Sequence, residues 1–198
     1  MRIILLSGKQ GAGKSTLQQA IIKEWHHEKY RGEGHRAYAV NFADIIYEMH
    51  DSVLGILHNY WPKRDIAKDG PLLQLLGTEW GRRTIDENIW VKCLRRKIEK
   101  QHELNKFKSP LFVVGDCRFP NEFDEFPDAL RVRVHAPEIV RKARCSMWRN
   151  NSEHESETAL DQYMLDGKFD FIVDSATQNV EQSVEAIFAM FKAKELTK

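Results

Sequence analysis

Apolar and polar positions along the chain follow two periods, and their order predicts its elements. Ile3, Ile4, Leu5 and Leu6 form an unbroken apolar run, the pattern of a strand covered on both faces. Leu17, Ile21 and Trp25 then recur four apart and mark one face of a helix. The same reading predicts strands near 2–7, 36–42, 110–115, 129–135 and 169–173, with helical stretches between them. That order predicts an α/β three-layer sandwich around a five-stranded parallel sheet. In the fourth strand Arg131 and Arg133 alternate with Val132 and Val134, so one of its faces is expected to be wet.

A long, mainly helical insertion, about 43–105, separates the second strand from the third. It holds two amphipathic blocks, PLLQLLGTEWGRR and ENIWVKCLRRKIEK, and is punctuated by Pro62, Gly70 with Pro71, and Gly77. Leu72, Leu73, Leu75 and Leu76 are expected to be core. Ser152 and Glu155 stand at capping-box spacing, which predicts a helix over SEHESETALDQYML. The stretch from Val180 reads as a helix that covers the sheet.

Composition narrows the setting. At 198 residues and 42% hydrophobic content the chain is expected to be a single domain over 1–198 with a real core. Thirty basic residues against twenty-nine acidic ones leave a formal charge of +1, so no global field favours nucleic acid or a membrane surface. Cys93, Cys117 and Cys145 are widely spaced and lack a CxxC pair, which argues against a disulfide framework or a zinc site. There is no charged leader with an apolar stretch behind it and no run long enough to span a bilayer. A reducing cytoplasm is the expected compartment.

The chemistry concentrates in GKQGAGKS at 8–15, which meets the phosphate-binding pattern GxxxxGK[S/T] between an apolar strand and a helix. Gly8, Gly11 and Gly13 let successive amides surround phosphate oxygens, with Ala12 between the last two. Lys14 is placed to reach the β and γ phosphates of ATP, Ser15 offers its hydroxyl to Mg²⁺, and Thr16 opens the following helix, whose N-terminus favours anions. The third strand, LFVVGD, ends in Asp116, at the sheet edge where ligands of open parallel sheets gather. Asp116 is the candidate second Mg²⁺ contact, through water, with capping of the next turn as its structural alternative.

Elimination favours a small-molecule kinase among proteins with this loop. The guanine-reading NKxD sequence is missing, its nearest match being NKFK at 105–108, and there is no LSGGQ-like signature. Asp116 is followed by Cys117, where many ATPases carry a glutamate. A slow nucleotide-hydrolysing regulatory module remains an alternative of a different class.

Four further blocks carry a resemblance: LLQLLGTEWGRR at 72–83, DENIWV at 86–91, GDCRFPNE at 115–122 and SEHESE at 152–157. In this order, with the phosphate loop, they resemble the bacteriophage deoxynucleoside monophosphate kinases. The resemblance implies a P-loop kinase fold and transfer of the γ-phosphoryl of ATP to a deoxynucleoside monophosphate, in the host cytoplasm if the chain is phage-encoded. The later blocks are also similar to animal-type phosphomevalonate kinase, which lacks a good counterpart of LLQLLGTEW, and more distantly to dephospho-coenzyme A kinase. A homodimer stays open.

What the resemblance implies for residues is specific. Arg118, matching the family's DxRFPNE block, would hold the acceptor phosphate through its guanidinium fork, or else pair with Glu122. Asp44, after the second strand in NFAD, matches an acid near the acceptor in related kinases, with a helix cap as its alternative. Gln74 and Arg82 come from the most diagnostic block and are of types that recognise bases and phosphates, whereas Trp80 and Trp90 fit a packing role. Arg141 and Arg144, three apart on a helix, with Arg149 beyond, would form one face of a basic lid over about 137–155. Ser156 and Glu157 would face the acceptor. His26 and His27 point to different faces and form no chelating pair, and His154 is not expected to bind metal. Asp174 stands where related families have Asn near adenine.

Overall fold

The computed structural model describes residues 2–26, 36–60, 69–105, 110–145, 148 and 154–196. Five strands form its sheet: β1 (Arg2–Ser7), β2 (Ala37–Val40), β3 (Leu111–Cys117), β4 (Leu130–His135) and β5 (Phe171–Asp174). They lie in the order β2-β3-β1-β4-β5, and every neighbouring pair is parallel. The architecture is the three-layer α/β sandwich that the sequence pattern predicts.

Helices cover both faces because the central strands are apolar on both. On one face α1 (Lys14–Trp25) and α9 (Val180–Leu196) bury Leu17, Ile21 and Trp25 against Val184, Ile187, Phe188 and Phe191. The other face carries α4 (Ile89–Leu104), α5 (Pro120–Asp124) and the start of α8 (Asp161–Leu165), with Trp90, Leu94, Ile98, Phe123 and Leu160 in its core. Ile4 and Leu6 face the first layer, Ile3 and Leu5 the second, so the period-two geometry of β1 supplies both cores.

The arginines of β4 do not make a wet face. β4 lies inside the sheet between β1 and β5, and Arg133 is buried there. Its guanidinium donates to Ser7 Oγ at 3.0 Å and to Asp161 Oδ1 at 2.7 Å, while Lys9 pairs with the same carboxylate at 2.7 Å. Arg131 is half-buried over the Phe123 ring. A buried charge persists because it is paired and hydrogen-bonded, which alternation alone cannot foretell.

The insertion is built from α2 (Asp44–Tyr60), α3 (Gly70–Gln74), a π-helix (Leu75–Ile85) and α4. Asp69 caps α3 by accepting from the Leu72 N–H at 3.0 Å, and Pro71 in the first turn suits a start without an amide hydrogen. Its leucines are not core: Leu72, Leu73 and Leu76 are half-buried and Leu75 is exposed. The buried positions of the π-helix are Gly77, which faces Ile46 of α2, and Gly81, which faces Trp90 of α4. Trp90 Nε1 donates to the Gly77 carbonyl at 2.7 Å, and a Cβ on Gly81 would sit 2.1 Å from its ring. Trp90 thus packs, as expected, whereas Trp80 is exposed.

The helix expected over SEHESETALDQYML is two short ones, α7 (Glu155–Thr158) and α8, separated at Ala159 and Leu160. Ser152 lies outside the described residues, and the cap of α7 is His154, whose Nδ1 accepts from the Ser156 N–H at 3.2 Å. The break lets the Leu160 side chain enter the core. Between β4 and this pair lies α6 (Glu138–Arg144). Of the expected lid, residues 146–147 and 149–153, Arg149 among them, lie outside the described residues, as do His27 and residues 106–108 of NKFK.

Candidate active site

The loop between β1 and α1 runs along the carboxyl edge of the sheet. Gly8, Gly11 and Gly13 all hold positive φ, at 154°, 75° and 94°. At Gly11 glycine is required twice over, because a Cβ there would also lie 2.7 Å from the Arg141 carbonyl. Lys14 opens α1, is buried, and turns its Nζ back to donate to the Gly8 and Lys9 carbonyls at 2.6 and 3.0 Å. Burial, then the neighbouring charge of Arg118, lowers its pKa to about 7, against the opposing pull of Glu157 and Asp116. An anion brought to this loop would restore the full positive charge. Ser15 and Thr16 stand exposed in the first turn of α1, and Ala12 is buried beneath them.

Asp116 and Arg118 leave the end of β3 beside this loop. Asp116 accepts from the backbone N–H of Phe42 at 2.8 Å and of Ala43 at 3.0 Å, one per carboxylate oxygen, and so closes the turn after β2. Burial raises its pKa, partly offset by those two hydrogen bonds. Arg118 donates to the Ser156 carbonyl at 3.2 Å and pairs with Glu157. The other oxygen of Glu157 accepts from the Gln10 N–H at 2.6 Å, so one buried carboxylate ties the phosphate loop to Arg118.

Beside these groups opens a cavity of about 460 Å³. Phe42, Tyr47 and Phe119 supply aromatic surface, Arg82 and Arg118 supply guanidinium groups, and Gln74 supplies an amide. Its wall is the insertion on one side and the β3–α5 turn on the other.

No protein-family model matches the chain, and no curated protein matches it in sequence. Solved structures do match in three dimensions. TT1252 from Thermus thermophilus superposes with a TM-score of 0.57 at 17% identity, covering 95% of this chain and 96% of that one. A shikimate kinase from Acinetobacter baumannii, solved in complex with shikimate, gives 0.54 at 13% identity over 99% and 96% of the two chains. The fold is that of the shikimate kinases. A second shikimate kinase, from Bacteroides thetaiotaomicron, agrees with a TM-score of 0.51 at 16% identity over 96% and 98%.

In this kinase fold the expected residues divide into two groups. Lys14, Asp116, Arg118 and Glu157 converge on the phosphate loop, and Gln74, Arg82, Asp116 and Arg118 line the adjoining cavity. Asp44 does not line it. Its carboxylate accepts from the backbone and side chain of Asn41, in the turn before α2, and pairs with Lys97 at 2.8 Å, so it ties that turn to α4 and does not cap α2 in the expected way. Arg118 does not pair with Glu122, whose carboxylate instead accepts the Arg118 backbone N–H at 2.7 Å and pairs with Arg82 at 2.5 Å.

Arg141 and Arg144 do not share a swinging face. Arg141 is buried and donates to the Ala136 and Gln10 carbonyls at 3.1 and 3.0 Å. Arg144 donates to the side chain and carbonyl of Ser175 at 3.0 and 2.8 Å, and Ser175 Oγ in turn donates to the Ala12 carbonyl. Both guanidinium groups therefore brace the phosphate loop, Arg141 directly and Arg144 through Ser175. Asp174 accepts from the Ala176 N–H and shapes the turn that presents Ser175.

Ser15 and Asp116 are the residues whose chemistry would suit a metal ion arriving with its phosphates: the Ser15 hydroxyl is exposed, and Asp116, whose two oxygens already accept backbone N–H groups, would meet it through water. Among the described residues no group of three or more His, Cys, Asp or Glu side chains could hold one unaided. An exposed hydroxyl and one carboxylate suit Mg²⁺, which keeps several waters and takes few protein ligands.

Sequence reasoning missed Glu122, Ser175, Phe42 and Phe119 as parts of the site. Glu122 and Phe119 stand inside the GDCRFPNE block and Phe42 inside NFAD, so their positions carried a signal, but their contacts depend on elements far away in the chain.

Proposed function

We propose that this chain transfers the γ-phosphoryl group of ATP to the phosphate of a deoxynucleoside monophosphate, giving the diphosphate. The observation that carries this reading is the cavity beside the phosphate loop, where aromatic faces and an amide accompany two guanidinium groups. A planar base calls for stacking surface and a hydrogen-bonding edge, and a phosphate calls for the bidentate fork of arginine. An aliphatic acceptor needs only the latter. The volume of about 460 Å³ lies within the usual range for small-molecule sites.

Each residue has a task in that transfer. Phosphoryl transfer asks the protein to align donor and acceptor and to neutralise charge on the moving group. Lys14 and the loop amides hold the β and γ phosphates, and Arg141 and Arg144 keep that loop in shape. Arg118 and Arg82 meet the acceptor phosphate, with Phe42, Phe119 and Gln74 around its base. Bound Mg²⁺, held by Ser15 and by Asp116 through water, would supply further neutralisation of the phosphate oxygens. In this reading ATP and a small acceptor are the partners; among the described residues no helix is long and apolar enough to cross a membrane.

A second reading is a kinase for a smaller acceptor that is not a nucleotide. It is favoured by the shared fold with a shikimate kinase solved in complex with shikimate. One assay separates them: ATP and Mg²⁺ offered with deoxy and ribonucleoside monophosphates, phosphomevalonate and shikimate, scored for phosphorylated product against free phosphate. Diphosphate from a deoxynucleoside monophosphate is the expected result. Free phosphate alone would indicate a hydrolysing module. Lys14→Ala should abolish transfer while the circular dichroism spectrum stays native, and wild-type rates in that variant would sink the proposal.

A further inference from the structure

Glu122 is a buried acid with more partners than a helix cap requires. It is 2% exposed, and its Oε2 accepts the backbone N–H of Arg118 at 2.7 Å and of Phe119 at 3.2 Å. That oxygen alone caps the short helix α5. Oε1 accepts from Arg82 Nη2 at 2.5 Å, from the end of the π-helix forty positions earlier. Arg82 is only 17% exposed at its side chain, and its guanidinium lies 4.4 Å from the centre of the Phe119 ring. Arg82, Phe119, Glu122 and Arg118 all line the acceptor cavity.

A neutral amide would satisfy the cap without the cost of burying a charge. That cost is visible, because burial and then the nearby Asp116 push the Glu122 pKa up to about 7. Nothing in the cap calls for the second oxygen. Its one partner is a guanidinium that the insertion delivers across the cavity.

We propose that Glu122 is a positioning residue of the acceptor site: it holds the Arg82 guanidinium over the Phe119 ring and, with its other oxygen, sets the backbone from which Arg118 projects. Glu122 itself touches no substrate. The carboxylate takes Arg82 Nη2 and the Glu87 carbonyl accepts from Nη1 at 3.4 Å, which leaves Nε and the second hydrogen of each Nη for an anionic acceptor. Through it the insertion and the β3–α5 turn present two arginines in a fixed relation. The inference rests on the acceptor reading given above.

Glu122→Gln tests it, since the amide oxygen keeps the cap on Arg118 and Phe119 while the NH₂ group faces the donors of Arg82. Steady-state kinetics with ATP and the best monophosphate acceptor should show the acceptor KM rising by about tenfold or more, with the ATP KM unmoved. Arg82→Ala should produce the same rise, and the double variant no further one, because the two side chains act as a unit. An unmoved acceptor KM in Glu122→Gln, or fully multiplicative effects in the double variant, overturns the inference. If Glu122→Gln does not fold, Arg82→Ala decides: a normal acceptor KM in that variant overturns it equally. Wild-type protein that transfers to no acceptor overturns the functional reading and this inference with it, whereas wild-type transfer with an unmoved KM overturns the inference alone.

Discussion

At the scale of single residues the site is governed by what burial does to charge. Lys14 is pushed down to about 7 because its ammonium is desolvated and faces Arg118. A lysine lowered in this way favours the folded state above its unfolded pKa of about 10.4, and that contribution is lost as pH falls through about 7. Lys14→Met should therefore flatten the dependence of unfolding free energy on pH in that window, by an amount on the order of a few kcal/mol. Bound triphosphate reverses the balance by supplying the counter-charge. ATP binding near pH 8 should then take up close to one proton, measured by calorimetry in buffers of different ionisation enthalpy, and Lys14→Met should remove the uptake. Lys14 was legible from the motif; its lowered pKa was not, because desolvation depends on α1, β3 and α7 closing around it.

At the scale of elements the π-helix decides the shape of the acceptor cavity. Its turn is wider than that of an α-helix, as the bond from the Asp86 N–H to the Gly81 carbonyl at 3.0 Å shows. The block LLQLLGTEWGRR reads as an amphipathic α-helix with a leucine core, yet its buried face is glycine, with Gly77 fitted against Ile46 and Gly81 against the Trp90 ring. Periodicity could not show this, since the close approach belongs to a pair of elements. Trp90→Phe would remove the indole donor and leave the Gly77 carbonyl without it, at a cost of about 1–3 kcal/mol. Urea unfolding should register that loss, and the acceptor KM should rise with it, while ATP affinity holds. A similar limit applied near α7, where the cap expected at Ser152 is supplied by His154.

At the scale of the whole molecule, donor and acceptor halves are joined through a few buried side chains. Glu157 connects the Gln10 amide to Arg118, so Glu157→Ala should lower kcat/KM for ATP and for the acceptor together, by about tenfold or more for each. Initial-rate kinetics with each substrate varied in turn would reveal it; a change confined to one substrate would contradict the link. The five strands, their flanking helices and the phosphate loop were readable in advance, because a buried parallel strand must be apolar throughout and a phosphate loop must be rich in glycine. Arg118, Arg82 and Gln74 could be picked out by residue type and block. The sequence by itself determined the layers of the fold and the nature of the phosphate site, both of which rest on local pattern. Only the tertiary structure decided that Arg141 and Arg144 brace the loop, that Asp44 pairs with Lys97 of α4 and that Glu122 holds Arg82. Those roles come from partners distant in the chain, and a side chain's charge does not say which partner the fold will bring to it.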